Sequence, residues 1–448
     1  MNSEPSAAVP VPALSPVPAP ASALDRIASV DALRGLVITL MIFVNDLAGV
    51  ARAPSWLRHA NAKADAMTLP DIVFPAFLFI AGVSIPLALS RAAALGQSRG
   101  ELFWKVLVRT LALLTMGVAM VNMEEHEPWY RGLWGLLAYL AMLLAFAVVP
   151  RQAGPARATF RIGRIVGAVG LLALGLLYQT SEGKHLMLGP LFEATDHHWL
   201  RHSWWGILGL IGWAYLVASL VYLAFGRRRE WLLGAAALLM LLFVADKSDF
   251  AARYASREWL AWALPVIRPL QAVFAWINSH VSFAESLGSL AAITTAGCCL
   301  GSILTPGSDV KAPAERLRWT GIFVGGLLVA AVLLDAVYGL NKIQATPAWC
   351  FLCSAITAGV WMLLYWLMDL RRIEGWSRAV RPAGANPLLA YVLHPILYAI
   401  AGFVNLPLDF YKSSQLPLTV NIFGSLLMAF LVVQLTGLIA RAGYRMKV

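Results

Sequence analysis

At 448 residues, 59% apolar and only 13% charged, with a mean hydropathy of +0.70, the chain lies well outside soluble-protein averages. That composition excludes an ordinary soluble enzyme. The formal charge of +11 reads as a topology signal rather than a nucleic-acid signal, because the basic residues lie between long apolar segments.

Residues 1–24 are rich in Pro and Ala with almost no charge. They cannot build a core and are expected to form a disordered cytoplasmic tail. They lack the basic start and leucine-rich centre of a signal peptide. Residues 25–448 read as a single transmembrane domain. Apolar windows long enough to cross a bilayer fall near 34–51, 70–90, 104–121, 131–150, 162–179, 204–225, 231–246, 284–304, 319–339, 347–369, 386–404 and 417–440. The fold class expected is therefore all-α, a polytopic transmembrane bundle of 11 to 12 spans, because backbone groups in lipid must pair within each segment.

Alternate loops (RAAALGQSRGELFWK, RQAGPARATFRIGR, GRRRE, KAPAERLR, DLRRIEGWSRAVR and RAGYRMKV) hold most of the 35 basic residues. The positive-inside rule puts that face in the cytoplasm together with both termini. The other loops carry every histidine except His394. The stretch 247–283, rich in Trp and Leu but broken by Pro265 and Pro269, suits helices lying in the outward interface as a cap.

Between the first two spans lies the polar loop RHANAKADAMTLPD, which carries His59 and ends in Asp71. An ionisable pair at a membrane boundary is a functional hypothesis by default. The bland alternative makes His59 a solvated loop residue and Asp71 a helix cap. Asp31 and Arg34 open the first span, and Asn45 and Asp46 stand near its far end. Asn341 and Lys342 lie on an outward edge. Asn386 and His394, eight residues apart in ANPLLAYVLHPIL, are expected to share roughly one helix face. Their bland readings are a helix cap and a hydrogen bond within the bundle. His197, His198 and His202 offer an i, i+4 pair without a completing ligand, and Cys350 and Cys353 lie in a span without a histidine beside them. No metal site is expected from either. Phosphate-binding Gly-rich loops, nucleophile elbows and zinc-protease motifs are absent from the sequence.

Read together, RIASVDALRGLVITLMIFVND, RHANAKADAMTLPDIVFPAFLFIAGVSIPLAL and NPLLAYVLHPIL resemble the heparan-α-glucosaminide N-acetyltransferase family, in a bacterial form. The motif positions are Ser29, Asp31, Arg34, Gly35, Asn45, His59, Asp71, Phe74, Pro75, Phe77, Phe79, Ile80 and Gly82, extended by Asn341, Lys342, Asn386 and His394. The resemblance implies a transmembrane acyltransferase of the bacterial inner membrane. It would take the acetyl group from cytoplasmic acetyl-CoA and deliver it to the amine of an outward-facing amino sugar. It implies catalytic roles for His59, Asp71 and Asn45. Acetyl-CoA contacts would fall to Arg34, Asp31, Asn386 and His394, and acceptor contacts to Asn341 and Lys342. Membrane lipid and a second copy in a homodimer are the other partners it implies, with no nucleic acid. The alternative from another class is a permease for an amino sugar or related solute.

Overall fold

The computed structural model describes residues 27–123, 128–149, 154–178, 202, 204–248 and 264–447. In chain order its helices are α1 (Ala28–Leu47), α2 (Leu69–Ala94), α3 (Arg99–Asn122), α4 (Pro128–Ala145), α5 (Pro155–Leu176), α6 (Gly206–Phe225), α7 (Arg229–Lys247) and α8 (Leu264–His280). They continue as α9 (Leu290–Ser302), α10 (Pro313–Tyr338), α11 (Pro347–Leu364), α12 (Arg381–Ala385), α13 (Pro387–Phe403) and α14 (Leu418–Arg441). Among the described residues the only strand-like pairing is a single bridge, Ala147 with Met446. The fold is an all-α polytopic bundle.

Each of the twelve apolar windows falls on a helix. Among the described residues eight helices are long and apolar enough to cross a membrane: α1, α2, α3, α5, α6, α10, α14, and α11 with its π-helical extension to Leu370. A ninth candidate is broken: Ala272–His280 meets Glu285–Ser302 at 78°. Gly132–Ala145 in α4 and Pro387–Phe403 are apolar but shorter, and α7 carries Arg229, Glu230, Asp246 and Lys247 at its ends. The expected tail, His197 and His198 lie outside the described residues, as does part of the expected cap. His202 stacks on His280, ring centroids 5.2 Å apart.

Local chemistry sets the helix boundaries. Ser98 and Glu101 close a capping box on α3, each side chain bonding the other's backbone N–H at 3.3 and 2.8 Å. Proline stands in the first turn of α2, α5, α10, α11 and α13, where its missing N–H costs nothing. The tightest packing is α2 on α9. A Cβ on Gly82 would sit 1.9 Å from the Thr294 carbonyl oxygen, and one on Gly297 would sit 2.1 Å from that of Phe79. Small residues let membrane helices approach this closely, where contact rather than hydrophobic expulsion holds them together. The four cysteines are free and buried, with Cys353 Sγ 3.5 Å from Met67 Sδ.

Contacts between loops define two ends of the bundle. At one end, Asp369 Oδ1 and Oδ2 accept from the N–H groups of Ala28 and Ser29, which have no partner within α1. Arg229 pairs with Asp309, and Val148 N–H donates to Arg445 O at 2.8 Å. At the other end the α1–α2 loop meets the α10–α11 loop, and the α13–α14 loop folds onto the end of α1. The described chain therefore starts and finishes at the end opposite His59.

Candidate functional site

The site begins with the loop leaving α1. A single 3-10 turn, Ser55–Leu57, buries Leu57, and the chain then runs extended through Arg58 toward α2. Asp71, fully buried in the first turn of α2, accepts from four donors. His59 Nδ1 lies 2.7 Å from Oδ1. Ala60 N–H and Thr68 N–H reach Oδ2 at 3.1 Å each, and Thr68 Oγ lies 2.8 Å from it. Asp71 is thus both the N3 member of a capping box and the partner of the histidine, so the bland and functional readings hold together. The pairing makes Nδ1 the hydrogen-bearing nitrogen and leaves the Nε2 lone pair for chemistry when the ring is neutral. The imidazole is about half exposed, at 47% of its side-chain surface.

A second loop positions the dyad. Asn341, almost fully buried, directs its amide nitrogen at the carbonyls of Asn61, Ala62 and Ala64, at 3.2, 3.0 and 2.8 Å. Gln344 Nε2 donates to Ala62 O, and Leu340 N–H to Asp65 Oδ1. Trp349, fully buried on α11, donates its indole N–H to Asp71 O at 3.1 Å. These bonds hold the loops in register and bring Lys342 Nζ to 3.2 and 3.3 Å from His59 Nδ1 and Nε2. Near-equal distances set the amine against the imidazole ring rather than in line with one lone pair. Burial pushes the Lys342 amine below the ordinary lysine range, against the opposing pull of the Asp71 charge.

A second polar centre lies at the same end. Asp46, fully buried on α1, accepts from His394 Nε2 at 3.1 Å, Tyr398 Oη at 2.6 Å, Tyr411 Oη at 2.8 Å and Lys412 Nζ at 3.1 Å. Burial and the neighbouring Tyr398 and Asp46 oxygens push the Tyr411 phenol well above the ordinary tyrosine value, so it stays a donor. His394 also faces a cavity of about 440 Å³ between α1, α3, α4, α6 and α13, shared with Asn45, Tyr139 and Tyr391. The volume is within the range of about 300–1,000 Å³ usual for small-ligand sites.

The remaining sequence candidates sit at the opposite end or face another way. Arg34 donates to Asp31 Oδ1 at 3.1 Å, Gly384 O at 3.2 Å and Ser84 Oγ at 2.8 Å, tying α1 to α2 and α12. Asn386 precedes the first residue of α13 and has φ −138°, so helical spacing does not put it on one face with His394. Its Oδ1 accepts from Met446 N–H at 3.3 Å, and its buried Nδ2 has no partner among the described residues. The structure thus joins His59, Asp71 and Lys342 in one cluster. It joins Asn45 and His394 at one cavity and leaves Asp31, Arg34 and Asn386 at the far end. Asn341 is the clamp between the loops. Sequence reasoning passed over Asp46 as a site residue, along with Tyr398, Tyr411 and Lys412. The available signals were a carboxylate inside a span and a tyrosine four residues after His394. Among the described residues no group of three His, Cys, Asp or Glu side chains is arranged to hold a metal ion.

Comparison with known proteins finds relatives of the chain. A stretch of 101 residues, 22% of this chain, is 35% identical to the heparan-alpha-glucosaminide N-acetyltransferase of Mus musculus. A stretch of 97 residues is 35% identical to the protein of the same name from Homo sapiens. The match covers 15% and 14% of those relatives' own lengths. The family described as "Domain of unknown function (DUF5009)" matches residues 26–264, more than half of the chain and including α1, α2 and the loop that carries His59. The chain therefore belongs to the DUF5009 family and is related to the heparan-alpha-glucosaminide N-acetyltransferases.

Proposed function

We propose that this protein is an integral membrane acetyltransferase. In this reading it passes the acetyl group of cytoplasmic acetyl-CoA to the amine of an amino sugar on the opposite side of a bacterial inner membrane. The observation that carries the proposal is the His59–Asp71 pair. It is a half-exposed imidazole held at 2.7 Å by a buried carboxylate at one end of a bundle, in a chain related to N-acetyltransferases. With Nδ1–H on Asp71, Nε2 can take the proton of the acceptor ammonium and free its amine for attack. Alternatively, Nε2 attacks the thioester carbonyl, the C–S bond breaks and CoA leaves as the thiol after gaining a proton. The acceptor amine then displaces the imidazole from the acetyl group. Both routes use the same tautomer. Lys342, beside the ring, supplies positive charge where negative charge develops on the acyl oxygen.

The remaining roles follow position. Asn45 and His394 line the cavity and contact the acyl group or its carrier there. Asp31, Arg34 and Asn386 act at the basic end, where acetyl-CoA arrives. Asn341 holds Lys342 and the His59 loop for the acceptor. The test is transfer of labelled acetyl from acetyl-CoA to glucosamine by the purified protein. His59→Ala is expected to lower transfer by about 10²–10⁴-fold with CoA binding retained. Amino-sugar uptake into liposomes that needs neither acetyl-CoA nor His59 would instead establish the permease.

A further inference from the structure

The bundle has a second large recess, unrelated to the His59 centre. Helix α5 packs on α4 but stands off from α3, leaving a groove of about 1020 Å³ between α3, α5 and the end of α4. Its volume is at the upper limit of about 300–1,000 Å³ usual for small-ligand sites. The walls are apolar side chains such as Leu111, Ile165 and Leu172, and it opens sideways along a helix whose outer face is almost entirely exposed apolar surface. Inside a bilayer that face is covered by acyl chains, and a recess in it is filled by them as well.

One end of the groove is different. Arg157, Arg161 and Arg164 line it at i, i+4 and i+7 of α5, on one face of the helix. None of the described residues lining the groove is acidic. Arg164 Nε donates to Ala145 O, the last carbonyl of α4, at 3.1 Å. Arg157 Nε is shut off from solvent and has no hydrogen-bond partner among the described residues. Buried guanidinium nitrogens leave such donors unpaired only at a cost, and their planar fork matches phosphate oxygens. The arginines lie at the basic end of the bundle. There the C-terminal segment pairs with the end of α4 through Val148 N–H to Arg445 O and Lys447 N–H to Phe146 O.

We infer that this groove is a binding site for an anionic phospholipid, its phosphate held by Arg157, Arg161 and Arg164 and its acyl chains laid between α3 and α5. The combination selects lipid over a soluble phosphate compound, because the apolar part of the groove is open to the bilayer along its length. The inference does not depend on the acetyltransferase reading.

The test counts lipid retained by the purified full chain in non-ionic detergent by native mass spectrometry, with phosphatidylglycerol or phosphatidylcholine as probe. The wild type is expected to retain phosphatidylglycerol at least about tenfold more tightly. The triple variant Arg157→Gln, Arg161→Gln, Arg164→Gln should lose between about ten- and a hundredfold of that affinity. Arg161→Gln alone, which breaks no hydrogen bond among the described residues, should cost several-fold and covers the case in which the triple variant does not fold. Leu172→Trp, which fills the groove without touching the arginines, should lower retention of both lipids. Inorganic phosphate should not displace the lipid. Equal retention of the two lipids, or a preference that survives the arginine variants, would overturn the inference. So would Leu172→Cys cross-linking one copy to another in place of lipid.

Discussion

In the proposed reaction, His59 can act only while its Nδ1 proton stays on Asp71. Asp71→Asn keeps the size of the side chain but offers an amide that can donate, so the ring is free to turn its hydrogen toward the substrate. Transfer should fall by about 10²–10⁴-fold, while circular dichroism of the helices stays unchanged. A drop of less than about threefold would remove Asp71 from the mechanism. Lys342 gives a prediction of opposite sign for stability. Its amine sits below the ordinary value of 10.5 because of burial. Between the folded and unfolded pKa values the unfolded chain holds the extra proton, so this residue makes stability rise with pH. Lys342→Met should melt higher than wild type below that window and converge with it near pH 10.5, while losing transfer activity. A variant that melts lower throughout would contradict this. His59 and Asp71 were legible because both lie in one short polar loop between apolar runs. Asp46 was not: its partners His394, Tyr398, Tyr411 and Lys412 come from the far end of the sequence, and only folding reveals that a buried carboxylate is saturated with donors. Asp46→Asn, which strips Lys412 of its buried counter-ion, should cost about 3–5 kcal/mol by thermal unfolding.

At the scale of elements, hydropathy located the helices because a lipid-facing segment needs only length and apolar side chains. It separated the stretch ending at 283 from the span beginning at 284 but did not give the 78° angle between Ala272–His280 and Glu285–Ser302, which depends on what the pair packs against. Likewise, Asn386 was grouped with His394 by spacing, yet α13 starts one residue later and the side chain turns toward Met446. The loop containing Asn341 was visible as a polar edge, but its purpose is mechanical. Its amide spans three carbonyls of the His59 loop and so sets where Lys342 lies. Asn341→Ala should cost about 1–3 kcal/mol of stability. It should also lower kcat, with the acetyl-CoA KM unchanged, because it loosens the loop that positions the base without touching the basic end. An unchanged kcat would show that the two loops hold their register without it.

For the whole molecule, the decisive geometry is that α1 carries candidate residues at both ends. Arg34 bonds Asp31, Ser84 and Gly384 at the basic end, and Asn45 and Asp46 stand eleven and twelve residues later. At a rise of 1.5 Å per residue that separation is about 16–18 Å along the helix axis, roughly half the hydrocarbon thickness of a bilayer. Under the proposed function, an acyl donor entering at the basic end has to reach well into the bundle before its thioester meets the His59 end. This makes a vectorial prediction that a permease or a one-sided soluble-type enzyme does not share. In proteoliposomes sorted for a single orientation, labelled acetyl-CoA supplied at the basic face should acetylate glucosamine only at the face bearing His59. Acetyl-CoA supplied at the His59 face should give no product. An impermeant amine reagent should label Lys63, exposed in that loop, from the product side alone. Product appearing on the same side as acetyl-CoA would mean that the two ends of α1 do not work in series, and the assignment of Arg34 and Asp31 to the donor side would fall with it.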